Sequence, residues 1–476
     1  MQKQLFINNE YVDAKSDETL TIYSPHDETL VAEGIQVAGQ DDVDAAVAAA
    51  QAAFKGEWSK WTPAQKTQVM MKLADLIDEH AEELGVWEAK AMGQPVAVAG
   101  QLVRITSTVI RYYAGWTDKI SGEQYPIDDK GIYKVMQYHP IGVCAGIGAW
   151  NGAPAFFGFK VASAVATGCT IVYKASEKSP IGVLQLGELV KEAGFPPGVI
   201  NIISGDGRTG AMLARHMGIR KISFTGSVPV GKKIQEEAAK SNLKRVVLEL
   251  GGKSPSMIFN DADIENALTH SSQNFLFNTG QGCVSASRAF IQEDIAPKFI
   301  DALKERFDQF KHAIGAPLDP NTFIGPLADG KQMERVMGFL ESGKNEAELV
   351  TGGNRHGDTG FYVEPTIFLN PKDGARIYRE EIFGPVLTIK TFKTEEEAVE
   401  MANDTEYGLS ACVFTSSTSR ALRVAGQIES GMVNINTSQV FGIDSSFGGW
   451  KQSGIGREGG RAGLMEFLQG KLICIK

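Results

Sequence analysis

Short apolar segments alternate with longer helix-forming segments between residues 140 and 250, and this alternation constrains the fold of the 476-residue chain most strongly. Strands that are apolar along their whole length are typical of a parallel sheet covered by helices on both faces. The pattern predicts a doubly wound α/β unit with right-handed crossovers and a nucleotide crevice at the carboxyl ends of its strands. The predicted strands are 141–149, 170–173, 200–203, 221–224 and 245–249, and the predicted helices are 154–166, 180–193, 209–217 and 230–241.

A second series of strands and helices between residues 255 and 450 predicts another α/β unit. Helices are also predicted near the amino terminus, and the tail from residue 464 is predicted to form a strand that docks elsewhere. The predicted helices are 41–54, 63–92, 97–118, 261–277, 295–313, 329–342, 394–403 and 417–428, and the predicted strands are 133–138, 286–291, 384–392, 410–415 and 431–434.

Composition and charge argue against several classes of protein. A hydrophobic content of 43% allows a large buried core, and a net charge of −10 argues against a general nucleic-acid or anionic-membrane partner. The five cysteines are odd in number and widely spaced, which favours a reducing compartment over a disulfide framework or structural zinc. No signal-peptide core and no apolar stretch long enough to span a bilayer is present, so we expect a cytoplasmic protein.

A cysteine and a glutamate stand in surroundings that suit covalent catalysis. Cys283 lies in the glycine-flanked segment Gly280-Gln281-Gly282-Cys283, and Glu249 ends the apolar run Val246-Val247-Leu248. A thiol in such a loop can act as a nucleophile, and burial at the end of a strand can raise the pKa of a carboxyl to the range that a general base needs. The pair predicts attack on a carbonyl followed by release through an activated water.

Two glycine-rich loops are candidates for binding phosphate. The first, Gly205-Asp206-Gly207-Arg208-Thr209-Gly210, matches a GxGxxG fingerprint, but such a match arises easily in a chain with 52 glycines. The second, Phe224-Thr225-Gly226-Ser227 followed by Gly231, also joins a strand to a helix and offers backbone amides at the start of that helix. Upstream, Lys174 and Glu177 end a strand, where a carboxylate can bind ribose hydroxyls and repel a 2′-phosphate, which favours NAD over NADP.

Seven segments occur in one order along nearly the whole chain. They are Trp150-Asn151; Lys174 to Glu177; Phe224-Thr225-Gly226-Ser227 with Gly231; Glu249 to Pro255; Gly280-Gln281-Gly282-Cys283; Glu380-Glu381-Ile382-Phe383-Gly384-Pro385; and Phe447-Gly448-Gly449 with Lys451 and Ser453-Gly454. In this order and spacing the chain resembles the aldehyde dehydrogenase family of the non-acylating, NAD(P)-dependent type. Each segment is weak alone, but together they are specific.

The resemblance implies a role for each candidate residue. Cys283 is the implied nucleophile, Glu249 the base for the deacylating water, and Asn151 the oxyanion donor together with the backbone amide of Cys283. The implied reaction is oxidation of an aldehyde to a carboxylic acid through a thioester, with NAD preferred, NADP as an alternative and no metal ion. The implied cofactor residues are Lys174 and Glu177 at the adenosine ribose, Gly226, Ser227 and Gly231 at the pyrophosphate, Gly205 near the adenine, Glu381 and Phe383 at the nicotinamide ribose and ring, and Trp150, Phe224 and Leu250 elsewhere in the same site.

The resemblance also implies how the chain is divided. Residues 1–119 and 140–252 would form a Rossmann-like, doubly wound NAD-binding domain, and residues 253–463 a second α/β domain that carries Cys283. Residues 120–139 and 464–476 would form a small protruding β element through which subunits pair into a homodimer or homotetramer.

By family position, the substrate channel is expected to be largely apolar. Gly152 departs from the family pattern, which has a bulky aromatic residue after the asparagine, and this departure predicts a wider channel. Because the expected lining has no Arg or Lys, we predict an apolar or aromatic aldehyde as substrate. The expected lining residues are Gln101, Ile105, Gly152, Phe156, Phe159, Gly282, Val284, Phe441 and Phe447.

Three other functions stay open at this point. A CoA-acylating aldehyde dehydrogenase would have the same fold but generally lacks a base at the position of Glu249. A cysteine hydrolase without a cofactor would need a histidine near the thiol, and none of the seven histidines stands in a recognisable motif. A non-catalytic relative is disfavoured because Cys283, Glu249 and Asn151 are all present.

Overall fold

The computed structural model describes residues 1–438 and 442–476, and its amino-terminal part consists of short hairpins and a group of helices. Asn8 and Asn9, both at positive φ, form the tight turn of the first hairpin. The elements of this part are β1 (Leu5–Ile7), β2 (Glu10–Val12), β3 (Thr19–Tyr23), β4 (Leu30–Gln36), α1 (Gln40–Lys55), α2 (Pro63–Glu79), α3 (Ala81–Met92), α4 (Val96–Ala114), β5 (Glu123–Tyr125) and β6 (Tyr133–Pro140).

Regular alternation of strands and helices follows, as the sequence predicts. Its elements are β7 (Val143–Ile147), α5 (Ala153–Ala166), β8 (Thr170–Lys174), α6 (Ile181–Ala193), β9 (Ile200–Ile203), α7 (Gly207–Arg215), β10 (Lys221–Thr225), α8 (Val228–Lys240) and β11 (Arg245–Glu249).

The remaining chain forms the second α/β series. Its elements are β12 (Pro255–Ile258), α9 (Ile264–Thr269), β13 (Arg288–Gln292), α10 (Ala296–Phe310), α11 (Gly330–Glu346), β14 (Glu348–Thr351), β15 (Thr366–Leu369), α12 (Arg376–Arg379), β16 (Val386–Phe392), α13 (Glu395–Asn403), β17 (Ser410–Phe414), α14 (Thr418–Ala425), β18 (Met432–Ile435), β19 (Gly454–Ile455), α15 (Gly460–Met465) and β20 (Leu468–Ile475). Single short turns cover Trp58–Lys60, Phe277–Gly280, Lys311–Ala313 and Lys451–Ser453, and a π-helical turn covers His270–Asn274. The turn at Phe277–Gly280 has a non-helical backbone at Asn278 and Thr279.

The first large sheet has the strand order β19-β11-β10-β7-β8-β9-β1-β2. Strands β7 to β11 are mutually parallel, and the antiparallel strands β19, β1 and β2 lie at the two sides. Because the chain builds outward from β7 in one direction with β8 and β9 and in the other with β10 and β11, the order reverses between β7 and β10. A ligand crevice is expected at such a reversal, at the carboxyl ends of these strands.

Burial on both faces explains why these strands are apolar throughout. In β8, Ile171 and Tyr173 belong to an apolar cluster with α2, α4, α5 and α6, whereas Val172 belongs to the cluster on the opposite face with α1. Alternate residues of one strand thus enter two cores. The predicted Rossmann-like fold class is confirmed.

The second large sheet has the order β14-β15-β16-β13-β12-β17-β18 and is parallel except for the pairing of β14 with β15. A separate antiparallel sheet has the order β20-β6-β5, in which β20 pairs with β6 over its whole length. The two regions predicted to form the protruding β element, 120–139 and 464–476, therefore meet in one small sheet. Their part in oligomerisation, and the domain boundaries given above, stay predictions.

Several elements differ from the sequence-based prediction. The helix predicted at 63–92 is two helices that break at His80, whose Nδ1 bonds the carbonyl of Leu76. The helix predicted at 261–277 consists of α9 and a π-helical turn, and the chain leaves it before residue 277. Strand β12 was not predicted, although it lies in the middle of the second sheet.

Among the described residues, no helix combines the length and the apolar character needed to cross a membrane.

Candidate active site

A cavity of about 130 Å³ lies between the first sheet, helix α4 and the second sheet. Cys283 and Asn151 both line it, although they come from different sheets: Asn151 follows β7, and Cys283 precedes β13. Most of the other lining residues are apolar, and they are Leu102, Ile105, Gly152, Ala155, Phe156, Phe159, Phe277, Val284 and Phe447, together with Gln101, Asn278, Gln281, Gly282, Gly442 and Glu458.

The loop before Cys283 has an unusual backbone. Asn278, Thr279 and Gly280 all have positive φ, of 54°, 59° and 69°. A left-handed conformation is costly for the β-branched Thr279, so surrounding contacts must hold it. The Thr279 hydroxyl donates to the carbonyl of Gly325 (3.0 Å), and the Gln281 side chain accepts from the backbone N–H of Ala328 (3.0 Å). The segment before α11 thus fixes the path of the chain toward the thiol.

Asn151 is held with its amide next to this loop. Its Nδ2 donates to the carbonyl of Gln281 at 3.1 Å. An amide nitrogen carries two hydrogens, so a second N–H is left for a group in the cavity. The arrangement suits a donor to a negatively charged oxygen that forms near Cys283.

Cys283 is partly exposed toward the cavity, yet its thiol is not activated by its surroundings. Burial first, and then the negative charges of Glu381 and Glu249, raise the pKa of the thiol to about 12. The sulfur is therefore protonated near neutrality, and reaction requires that a base remove its proton.

Glu249, the last residue of β11, is 3% exposed. Burial, followed by repulsion from Glu458, raises the pKa of its carboxyl well above the ordinary value. In the described structure neither of its side-chain oxygens has a hydrogen-bond partner. An unpartnered carboxyl with a raised pKa is, once ionised, a stronger proton acceptor than an ordinary carboxylate.

An ion pair lies beside this carboxyl at the inner end of the cavity. Lys160 Nζ, completely buried on α5, lies 2.5 Å from Glu458 Oε1, and the hydroxyl of Ser223 donates to the same oxygen at 2.7 Å. Glu458 is paired through its backbone with Phe447, which lines the cavity. Sequence reasoning did not identify Lys160 or Glu458, because neither stands in a segment with a chemical signature.

Lys174 and Glu177 form a pair at the end of β8. Lys174 Nζ is 3.4 Å from Glu177 Oε2 and donates to the carbonyl of Ala175 at 3.0 Å. Burial lowers the pKa of Lys174, and the nearby Glu177 opposes that effect. Glu177 is exposed, so its carboxylate can reach a ligand that lies along the strand ends, whereas Lys174 is buried beside it.

The two glycine-rich loops differ at their helix starts. At α7, Asp206 caps the helix by accepting from the N–H of Arg208 (2.8 Å), and Gly205 is packed against Thr209. At α8, Ser227 occupies the cap position with its side chain making no capping hydrogen bond. An anion would be repelled by the carboxylate at α7 and attracted by the free amides at α8.

The packing around the second loop keeps it close to the strand ends. Phe224 lies against Gly226, and Leu250 lies against Gly231, so a side chain at either glycine would displace a neighbour. This arrangement leaves the start of α8 open beside β10 and β11, as a bound pyrophosphate requires.

A third group lies between α12 and β16. Glu381 accepts from the N–H of Gly252 (2.9 Å), and burial raises the pKa of its carboxyl to about 7. Phe383, at a positive φ of 62°, packs edge-on against Trp150, with ring centroids 5.2 Å apart. Strain at Phe383 is typical of a side chain placed for a ligand. An anionic dinucleotide would fit in the crevice between Glu381 and Phe383, the start of α8, and the pair Lys174 and Glu177.

The described residues predicted to line the substrate channel all line this cavity, and Phe441 lies outside the described residues. The sequence did not point to Leu102, Ala155, Phe277, Asn278, Gln281, Gly442 or Glu458. Leu102 and Phe277 could have been found, because Leu102 follows the predicted Gln101 on the same helix and Phe277 lies shortly before the segment Gly280 to Cys283. In the described part of the chain, no three His, Cys, Asp or Glu side chains lie close enough to hold a metal ion.

Comparisons with known proteins show which family the chain resembles. The model of the aldehyde dehydrogenase family matches residues 11–473. A retinal dehydrogenase 2 from Homo sapiens is 43% identical over 99% of this chain and 92% of its own length. The NAD⁺ complex of an aldehyde dehydrogenase from Bacillus cereus is 40% identical, with a TM-score of 0.97 over 100% of this chain and 97% of that one. An indole-3-acetaldehyde dehydrogenase from P. syringae, in complex with NAD⁺ and IAA, is 36% identical, with a TM-score of 0.97 over 100% and 97% of the two chains.

Proposed function

The chain belongs to the aldehyde dehydrogenase family, and from that premise we propose that it oxidises an apolar or aromatic aldehyde to the carboxylic acid, with NAD as acceptor and Cys283 as nucleophile. The meeting of Cys283 and Asn151 in the wall of one apolar cavity carries this proposal. A bound thiol adduct would place its oxygen between an amide donor and the loop that carries the sulfur.

The reaction begins with loss of the Cys283 proton and addition of the sulfur to the aldehyde carbon. Because the thiol is protonated at rest, its proton must pass to a base, such as water in the cavity, before the sulfur adds to the aldehyde. The second N–H of Asn151 donates to the alkoxide that results. Each such donor typically stabilises the transition state by a few kcal/mol.

The second half releases the acid. When bound, NAD supplies the nicotinamide ring that accepts the hydride from the adduct, which leaves a thioester on Cys283. Glu249 then takes a proton from water, the water oxygen attacks the thioester carbon, and the sulfur leaves with a proton. Lys174 and Glu177 would hold the adenosine ribose, the α8 start the pyrophosphate, and Glu381 and Phe383 the nicotinamide end. The carboxylate of Glu177 supports a preference for NAD over NADP.

The cavity supports the apolar substrate class. Among its described lining residues the one charged side chain is Glu458, and its Oε1 already accepts from Lys160 and Ser223. A semialdehyde that carries a carboxylate would meet a second carboxylate and no free cation, which is unfavourable. Gly152 adds room next to Asn151, since a Cβ there would touch the Phe156 ring and Leu102. The two relatives named for retinal and indole-3-acetaldehyde also act on apolar aldehydes by name.

One assay tests the reaction: NADH absorbance with aldehyde and NAD, for the wild type and for Cys283→Ala. We expect the variant to lose at least about a thousandfold in kcat, because it lacks the atom that is acylated. Full activity without the sulfur, or no affinity for either dinucleotide, would overturn the proposal. Free acid as product, with and without added CoA, separates this function from acyl-CoA formation.

A second assay tests the substrate class. We expect kcat/KM for benzaldehyde-type substrates to exceed that for succinic semialdehyde. A clear preference for the semialdehyde would contradict the assignment of an apolar channel while leaving the reaction type intact.

We also propose that the protein forms a homodimer or homotetramer. Strand β20 is an edge of the small sheet, and Leu472 and Ile475 on it are 50% and 54% exposed. An apolar edge strand of this kind is suited to pairing with a second copy.

A further inference from the structure

A network of amide side chains lies behind the cavity wall that Asn151 and Cys283 form. Gln94, in the connection between α3 and α4, is 1% exposed. Its Nε2 donates to the main-chain carbonyl of Asn151 (2.9 Å) and to Oδ1 of Asn278 (3.1 Å). Asn278 Nδ2 in turn donates to the same Asn151 carbonyl (3.1 Å) and to the carbonyl of Gln281 (3.2 Å).

The number of hydrogens fixes how these amides are oriented. Both Nε2 hydrogens of Gln94 are used, one on each oxygen. Asn278 must present its oxygen to Gln94, so its own two hydrogens face the carbonyls of Asn151 and Gln281. If the Asn278 amide were reversed, two N–H groups would face each other and two carbonyls would lose a donor. Gln94 and these two carbonyls together therefore fix the orientation of Asn278.

As a result, hydrogen bonds hold Asn151 at two points, its main-chain carbonyl and its side-chain amide. Its main-chain carbonyl receives Gln94 and Asn278, and its side-chain Nδ2 is fixed on the carbonyl of Gln281. That carbonyl is itself held by Asn278. The same contacts support the left-handed backbone at Asn278. The network thus joins the residue that follows β7 to the loop that carries the thiol.

The amide oxygen of Gln94 indicates which part of this side chain the site uses. In the described structure its Oε1 is buried and has no hydrogen-bond partner. A buried amide oxygen without a partner destabilises the fold, so selection for stability alone would not favour glutamine here. The two N–H donors are what the site uses.

We infer that Gln94 is a positioning residue for the oxidation of the aldehyde: through Asn278 and the Asn151 backbone it holds the free N–H of Asn151 where the alkoxide forms. This inference rests on the proposed function. It concerns the steps in which negative charge develops on the substrate oxygen, namely addition of the sulfur to the aldehyde and attack of water on the thioester. It predicts no role for Gln94 in binding NAD.

Three variants at this position test the inference. Gln94→Met removes both donors at similar volume, and we expect kcat to fall about 10- to 100-fold with KM and NAD affinity changed little, because misplacing a donor affects the transition state most. Gln94→Lys offers an ammonium to the same two oxygens and should recover most of kcat. Gln94→Glu faces both oxygens with a further oxygen and should be at least as impaired as Gln94→Met.

Asn201→Leu is the matched control for loss of a buried amide. Asn201 on β9 is also completely buried and donates to the carbonyls of Gly198 (2.9 Å) and Ile171 (3.4 Å), away from the cavity. We expect this variant to lose stability while its kcat stays near that of the wild type. A similar fall of kcat in this control would show that Gln94→Met acts through general destabilisation, and would overturn the inference.

A second readout separates positioning of the oxyanion donor from damage to the thiol. The rate at which iodoacetamide alkylates Cys283, followed on the peptide by mass spectrometry, should be nearly the same in wild type and Gln94→Met, since alkylation forms no alkoxide. A parallel fall in alkylation and oxidation would contradict the inference. It would equally fail if Gln94→Met kept kcat within about twofold of the wild type, or if Gln94→Lys were folded but not recovered. If the wild type itself oxidised no aldehyde, the proposed function would fail instead.

Discussion

The thiol and the base are set in surroundings that disfavour their charged forms. Burial raises the pKa of both Cys283 and Glu249, and the negative charges of Glu381 and Glu249 raise the pKa of the thiol further. A resting enzyme with a protonated thiol is protected from oxidation, since the thiolate is the reactive form. The same burial makes the Glu249 carboxyl an effective proton acceptor once it is ionised.

Glu249→Gln should separate the two halves of the reaction. The amide cannot take a proton from water, so we expect steady-state kcat to fall about 10²- to 10⁴-fold while a thioester accumulates on Cys283. Intact-mass measurement after mixing with aldehyde and NAD should show the added acyl group. Wild-type kcat should rise with pH as Glu249 ionises, and because burial raises its pKa, the rise should come at a higher pH than an ordinary carboxyl would give.

Glu88→Gln is a suitable control for that experiment, because Glu88 is also a buried carboxyl with a raised pKa but does not line the cavity. Its kcat should match that of the wild type. An acyl-enzyme that failed to accumulate in Glu249→Gln would show that another group activates the water.

Residue types with a strong chemical signature could be predicted from sequence, and the supporting residues could not. Cys283 and Glu249 stood out through their immediate neighbours, and the channel phenylalanines came from family position. Gln94 and Glu458 act through tertiary contacts with residues far along the chain. No local pattern reports such contacts, so only the fold reveals them.

Two helix starts at the same edge of the first sheet differ in whether they carry their own anion. Asp206 supplies one at α7, and Ser227 supplies none at α8. A match to the GxGxxG pattern is therefore less informative than the N-cap residue, because the N-cap residue determines whether the helix start attracts or repels an external anion.

Ser227→Asp should weaken cofactor binding and leave the fold intact. The new carboxylate can cap α8, which stabilises helices by about 1 kcal/mol, but it repels pyrophosphate. We expect the Kd for NAD to rise at least about tenfold, measured by fluorescence quenching or calorimetry. Asp206→Ala is the paired variant at α7: it should lose about 1 kcal/mol of stability with little change in NAD affinity. The reverse pattern would place the pyrophosphate at α7.

Glu88 couples α3 to the start of α6 in a pH-dependent way. It is completely buried, accepts from the Ser179 hydroxyl, and lies against Gly182. Burial raises the pKa of its carboxyl to about 8, while the Ser179 hydrogen bond lowers it to a smaller extent. In the folded state the group keeps its proton where the unfolded chain has lost it, so its contribution to stability is full below the ordinary carboxyl pKa and is lost as pH rises toward 8.

Glu88→Gln should remove this pH dependence. The amide stays neutral, so the variant should gain stability relative to the wild type by up to roughly 1.4 kcal/mol per pH unit as pH rises from about 5 to about 8. Thermal unfolding at about pH 5.5 and about pH 8.5 measures the difference. A constant difference at the two pH values would mean that Glu88 does not change its protonation on unfolding.

The elements that could be predicted were those with a clear period and end signals. The strands and helices from β7 to β11 were found, because each apolar run is bounded by polar or glycine residues. The break at His80 was missed, since the helical period continues through it. Strand β12 begins at a proline, and a proline normally argues against a central strand. It is tolerated here because it is the first residue of the strand.

At the scale of the molecule, the active site exists only where two sheets meet. Glu249 and Asn151 come from the first, Cys283 and Glu381 from the second. Ser453 joins them: its hydroxyl donates to the carbonyl of Gly251 (2.7 Å), just after β11, and accepts from the N–H of Gly408 (2.9 Å), just before β17. The sequence could predict each sheet, but not this closure, because its partners are far apart along the chain.

Leu472→Lys tests the role of the small sheet. A charge on the exposed edge strand β20 disfavours pairing between sheets, so we expect light scattering to show a shift toward smaller species. Because half of the Leu472 side chain is exposed, we expect the fold to persist, as measured by circular dichroism. An unchanged mass would place the subunit interface elsewhere. Lys471→Arg, on the same strand, is the control that keeps the charge pattern.

Strand β19 has a consequence for how the protein is made. It lies beside Leu248 and Glu249 and closes that side of the first sheet, yet it is encoded near the end of the chain. On the ribosome, the nascent polypeptide must expose this edge until β19 itself has emerged, after the whole second series of strands and helices. A product terminated early would keep the open edge permanently, which makes it a substrate for chaperones and proteases.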